Sequence, residues 1–117
     1  MPLIQLDTSC DLTSPEKRNV LAQALSQVAA QCIGKPEQYV MACVHDHVTM
    51  TLGGTTEACA LVTVKSIGGL NGKVNQALTR EVSKVVEQAL GVADDRVYCV
   101  FEERPATHWG WKSSTFG

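Results

Sequence analysis

Nothing in the sequence offers a polyanion a basic face. Ten Lys and Arg stand against twelve Asp and Glu, a formal net charge of −2, so nucleic acid is not expected as a partner. Long hydrophobic runs are missing too. No apolar stretch approaches the roughly 18 residues that a bilayer-spanning helix needs, and no charged-then-apolar leader precedes a small-residue cleavage site. These absences argue against membrane insertion and a leader-directed secretory route. A soluble cytoplasmic protein is expected, with export left only to a leaderless mechanism. An even set of cysteines is lacking as well: Cys10, Cys32, Cys43, Cys59 and Cys99 are odd in number, and most fall inside apolar periodic segments. They read as small buried residues rather than a disulfide framework, which favours a reducing compartment. Aromatic residues are few, two each of Trp, Tyr and Phe. Trp109 and Trp111 have the chemistry to stack a nucleobase, but the acidic balance opposes it.

What is present suits one globular domain over residues 1–117. A hydrophobic content of 44% with 19% charged residues lies well away from disordered composition, and the length suffices to bury a core without staples.

Along the chain, Leu3 to Asp7 reads as a first strand. Ser14 before Pro15, with Glu16 in the first turn, predicts a helix start. Val20, Leu21, Ala24, Leu25, Val28, Ala29 and Cys32 then recur at helical spacing, and Gly34 is the natural stop. Tyr39 to Val44 is a β-branched and apolar run. His45-Asp46-His47 reads as a turn into a shorter strand, Val48 to Leu52, ended by Gly53-Gly54. Ala58 to Ile67 is the longest extended run. Asn71 is the expected cap of a second helix carrying Val74, Leu78, Val82, Val85, Val86 and Leu90 on its buried stripe, with Gly91 closing it. Arg96 to Phe101 is the last long strand, and Pro105 opens a tail expected to be irregular.

The halves, about 2–50 and 58–103, superpose at an offset of 57 residues: Ser14 on Asn71, Leu21 on Leu78, Leu25 on Val82, Gly34 on Gly91 and Val40 on Val97. Each reads as a βαβ unit, whose parallel strands need a crossover helix. Two such units predict an α/β (α+β) fold, one four-stranded mixed sheet with both helices on one face. The strands read as apolar on both sides, Ala58, Ala60, Val62 and Val64 alternating with Cys59 and Leu61. An uncovered apolar sheet face implies a second copy, hence a homo-oligomer.

The first residues admit two readings. Pro2 can be a strand-edge proline whose missing N–H costs nothing at a chain end. Alternatively, because a small residue after the initiator favours removal of Met1, Pro2 would carry a free secondary amine. An α-amino group has a pKa of roughly 7.7–8.0, lowered by burial or a nearby cation into the range where a base works best at neutral pH.

The Met1-Pro2 start, Gly34-Lys35-Pro36 after the first helix, Ser66-Ile67-Gly68 after the long strand, Asp95-Arg96-Val97-Tyr98 opening the last strand, and Gly110-Trp111 with Ser114-Thr115-Phe116 at the end occur in one order. With these motifs the sequence resembles, nearly end to end, the macrophage migration inhibitory factor family of the tautomerase superfamily, which includes the D-dopachrome tautomerases. The resemblance implies a homotrimer whose sheets enclose a solvent channel, with active sites at subunit interfaces and no cofactor. It implies that Pro2 is the general base, that Lys35 and the backbone N–H of Ile67 bind a substrate carboxylate, that Tyr98 comes from a neighbouring subunit, and that Tyr39, Trp111 and Phe116 are pocket walls. The expected activity is keto–enol tautomerisation of an aromatic α-keto acid such as phenylpyruvate, or of dopachrome. The alternative it implies is a cytokine-like ligand of a cell-surface receptor.

Departures are specific. Cys59-Ala60-Leu61-Val62 lacks the second cysteine of the Cys-x-x-Cys pair found in the family's best-known member, and thiol–disulfide chemistry needs that resolving thiol. Val100 stands where that member has asparagine, and Trp109 where it has a small aliphatic residue. Both bear on pocket shape. His45 and His47, two apart, would share a strand face, but no further ligands are apparent and no metal is expected.

Overall fold

The computed structural model describes residues Met1–Gly117. The chain runs β1 (Pro2–Thr8), α1 (Pro15–Ile33), β2 (Met41–His45), β3 (Ala60–Ser66), α2 (Gly72–Leu90) and β4 (Val97–Glu103). A two-stranded hairpin, β5 (Gly110–Trp111) and β6 (Ser114–Thr115), follows. The four long strands form one mixed sheet in the order β2-β1-β3-β4. Each βαβ pair is parallel, and the two units join through an antiparallel β1–β3 seam. The helices begin at residues 15 and 72 and end at 33 and 90, so both ends keep the offset of 57 found in the sequence.

Local chemistry explains the helix limits. Ser14 Oγ accepts the Lys17 N–H at 3.2 Å and Asn71 Oδ1 accepts the Val74 N–H at 2.9 Å, satisfying donors that have no intrahelical partner. At the other end of α1, Gly34 takes φ +76°, a left-handed conformation that glycine adopts without a Cβ penalty. It sends the chain back across the helix end toward Lys35.

One sheet face packs on the helices. Ile4, Leu6, Val62 and Val64 are buried there with Leu21, Leu25, Ala29, Leu78, Val82 and Val86, and each Ile, Leu or Val among them contributes about 1.5–3 kcal/mol by leaving water. All five cysteines are free. Burial pushes the Cys32 and Cys99 thiols up, which disfavours the reactive thiolate. No helix is long and apolar enough to cross a membrane.

The open face differs from the apolar surface expected. Its cross-strand rows are Met41–Leu3–Lys65–Glu102, Cys43–Gln5–Thr63–Val100 and His45–Asp7–Leu61–Tyr98. Polar groups interrupt every row: Lys65 Nζ lies 3.7 Å from Glu102 and His45 Nδ1 3.2 Å from Asp7. Large apolar exposure gathers instead on the outer strands, at Met41 (64%), Tyr98 (62%) and Val100 (44%). Ala58 precedes β3 and is exposed.

Two expectations on the connections are corrected. Val48–Leu52 is not a strand; only Leu52 pairs, with Thr55 around Gly53-Gly54. The Val48 N–H donates to the Thr8 carbonyl at 3.0 Å, but β1 ends at Thr8, so no strand continues beside the rest of the segment for it to pair with. The tail is a hairpin rather than irregular. Lys112 and Ser113 sit at φ +52° and +65°, the signature of a tight strand-joining turn normally announced by Asn-Gly, which these residues do not announce. His45 and His47 serve separate carboxylates, Asp7 and Asp11, because His47 leaves the strand at φ +57°. Between them Asp46 accepts the Leu12 N–H at 2.9 Å and Arg18 Nε at 2.8 Å, so this turn ties α1 to the end of β2.

Arg96 holds the long β2–β3 connection. Its guanidinium donates to the carbonyls of Leu52 (2.7 Å), Glu57 (2.8 Å) and Ala58 (3.3 Å). Arg96→Ala strips a charged donor from three acceptors, and a loss of about 1–2 kcal/mol is expected, read as a lower urea midpoint. An unchanged midpoint would show that the clamp is energetically idle.

Candidate active site

The sheet delivers the amino terminus to one end of the molecule. Pro2 is buried at the start of β1 and pairs with Ser66, the last residue of β3. The next residue, Ile67, donates its N–H to the Met1 carbonyl at 3.4 Å. Ser66 fixes this turn: its hydroxyl donates to Gly68 O at 2.7 Å and its carbonyl accepts the Arg104 N–H at 2.9 Å.

Lys35 reaches the same place from the end of α1. It passes over Gly69, where an added Cβ would lie 2.8 Å from Ile33 Cγ2 and 3.5 Å from Lys35 Cε. Gly69 also has φ +84°, so a side chain here would be strained in its backbone and would crowd Ile33, while only touching the lysine stem. The Met1 amine beside it is held below the ordinary α-amino value of 8.0, first by burial and second by the Lys35 charge. Both effects disfavour the protonated amine.

The three aromatic residues expected as pocket walls meet. Tyr39, four residues beyond Lys35, lies edge-on to Trp111 at 6.0 Å between ring centroids, and Trp111 stacks on Phe116 at 6.0 Å with planes 8° apart. All three rings stay partly open to solvent. The hairpin brings Trp111 and Phe116 together, and the 3₁₀ turn Glu37–Tyr39 presents the tyrosine. Lys112 Nζ rests 4.7 Å over the Trp111 ring, a contact with no signal in the sequence because it depends on the turn just described.

Tyr98 and Val100 do not join this cluster. Tyr98 pairs with Leu61, five residues along β3 from Ser66, and at about 3.3 Å per residue that end of the sheet is roughly 17 Å from Pro2. Val100 sits on the same open face beside Thr63. Within one protomer neither meets the amine. Trp109, half-buried, stands before the hairpin and its carbonyl accepts the Phe116 N–H at 3.2 Å.

Paired βαβ units around an antiparallel seam, with the chain's own terminus in the site, define a tautomerase-superfamily fold. The particular family follows from comparison. The profile of macrophage migration inhibitory factor matches residues 1–117. The chain is similar to macrophage migration inhibitory factor of Rattus norvegicus, 33% identical with 99% of both chains covered. It is also similar to the homolog of Brugia malayi, 32% identical over the whole of both. A solved homologue from Prochlorococcus marinus superposes with a TM-score of 0.91 at 43% identity, covering 98% of this chain and 99% of that one. The chain belongs to the macrophage migration inhibitory factor family.

Proposed function

We propose that the protein is a keto–enol tautomerase of aromatic α-keto acids, phenylpyruvate being the natural assay substrate and dopachrome a second. It works as a homotrimer, without a cofactor, after loss of Met1. The observation that supports this reading is the meeting, in one place, of the chain terminus, Lys35 and the Ile67 N–H.

The chemistry is a single proton relay. Lys35 and the Ile67 N–H hold the substrate carboxylate, and Tyr39, Trp111 and Phe116 line the ring. The neutral Pro2 nitrogen takes a proton from the carbon beside the ketone. The C–H electrons become the C=C bond, the carbonyl π pair moves to oxygen, and the proton returns from nitrogen to that oxygen. One amine serves as base and then acid, which requires a pKa near the working pH. Tyr98 of a neighbouring subunit closes the pocket, with Val100 and Trp109 setting its depth.

Lys35 has two duties in this scheme, and they separate experimentally. Lys35→Ala removes a charged partner of the carboxylate, so KM for phenylpyruvate rises by about tenfold or more. The same change removes a cation that depresses the amine. The Lys35 charge lowers the pKa of the Met1 amine in this chain, second to burial. The pKa of the Pro2 amine that takes its place after processing should likewise rise when the cation is removed, and the acid limb of the kcat/KM profile then moves to higher pH. A raised KM with an unmoved acid limb would leave Lys35 as an anion anchor only.

A second reading, a cytokine-like ligand of a cell-surface receptor, is favoured by the names of the relatives. Receptor binding that survives Pro2→Gly while enolisation falls would support it.

A further inference from the structure

A second cationic locus lies beside the amino terminus, on the open face of the sheet. It lines a solvent-open cavity of about 580 Å³ formed by Leu3, Lys65, Arg104, His108, Trp109 and Gly110, within the size range of small-molecule sites. Leu3 follows Pro2 directly and pairs with Lys65. Gly110 precedes Trp111 of the aromatic wall. The cavity therefore adjoins the candidate active site along both β1 and the hairpin.

Its charge is unbalanced. Glu102, which does not line the cavity, lies 3.7 Å from Lys65 Nζ and 3.2 Å from Arg104 Nη2. Two cations thus share one carboxylate, leaving a net positive charge, and His108 adds a ring nitrogen. The two cationic side chains remain 37% and 44% exposed, so their remaining donors are open to a ligand. Leu3 and Trp109 give the ring of a ligand apolar surface to pack on, and a guanidinium can hold a carboxylate through two parallel bonds.

We propose that Lys65, Arg104 and His108 form a second anion-binding subsite that takes the remote acidic group of a keto acid whose first carboxylate is held at Lys35. This rests on the tautomerase reading and narrows it to a substrate class: keto acids with a second anionic group at the far end.

The test compares kcat/KM for enolisation of phenylpyruvate and of 4-carboxyphenylpyruvate by the wild type, Arg104→Gln, Arg104→Lys and Lys65→Gln, with folding checked by circular dichroism. The wild type is expected to favour the carboxylated compound by about tenfold. Both glutamine variants should bring the ratio toward one, Arg104→Lys should restore part of it, and rising NaCl should erode it in the wild type. Turnover of both compounds with a wild-type ratio of one or less would overturn the subsite alone. So would a ratio insensitive to salt and to both glutamine substitutions. Turnover of neither compound would overturn the tautomerase reading and the subsite with it.

Discussion

A form carrying an uncleavable residue ahead of Pro2 is expected to enolise phenylpyruvate about 10²–10⁴-fold more slowly than the processed protein, the range that a positioned proton-transfer group contributes. The extension turns the Pro2 nitrogen into an amide, which has no basic lone pair. It also leaves a carbonyl where Met1 now accepts the Ile67 N–H, so the carboxylate loses a donor as well. Pro2→Gly falls between the two forms. It keeps a terminal amine but gives up the ring that fixes the nitrogen's direction, and a rigid base outperforms a rotating one. The comparison is made on samples whose intact mass shows whether Met1 is present. Equal rates for the processed and extended forms would remove Pro2 from the chemistry.

The largest stability effect is expected from Leu25→Ala. Leu25 is fully buried on α1 within the cluster that joins both helices to the sheet, and deleting such a side chain costs about 2–5 kcal/mol from lost transfer energy and the cavity left behind. Its counterpart 57 residues on, Val82, is 1% exposed. Val82→Ala removes one carbon fewer and should cost less by about 1 kcal/mol. Urea unfolding at one fixed protein concentration measures both. Equal losses would mean that the two halves of the core relax differently around a void.

The long elements were legible because their signals are local. Ser14-Pro15 and Asn71 start helices by side-chain chemistry within three residues, and Gly34 and Gly91 stop them by backbone conformation. What escaped depends on contacts between distant segments. Val48 to Leu52 has strand composition, but composition does not reveal whether a partner strand runs beside it, and β1 ends at Thr8. Lys112-Ser113 turns the tail without Asn or Gly, so periodicity missed the hairpin. For the site, Lys35 and Ile67 were reached through motif resemblance, and the chain does bring them to its terminus. The cavity at Lys65, Arg104 and His108 went unread because strand register gathers residues that are scattered in sequence. The motif around Arg96 does not disclose its role as a clamp, because its three carbonyl acceptors come from a loop some forty residues earlier.

The outer strands carry a consequence for handling the protein. β2 and β4 each leave one row of backbone N–H and C=O groups without a partner in the sheet, and Met41, Tyr98 and Val100 stand beside those rows. β2 contains no proline, lysine or acidic residue to blunt its edge. On the way to the homotrimer proposed above, a subunit that has not yet met its copies would present these edges to any other chain. Substitutions at Met41 that weaken the correct meeting should appear first as precipitation during expression, with helix content in the soluble fraction unchanged.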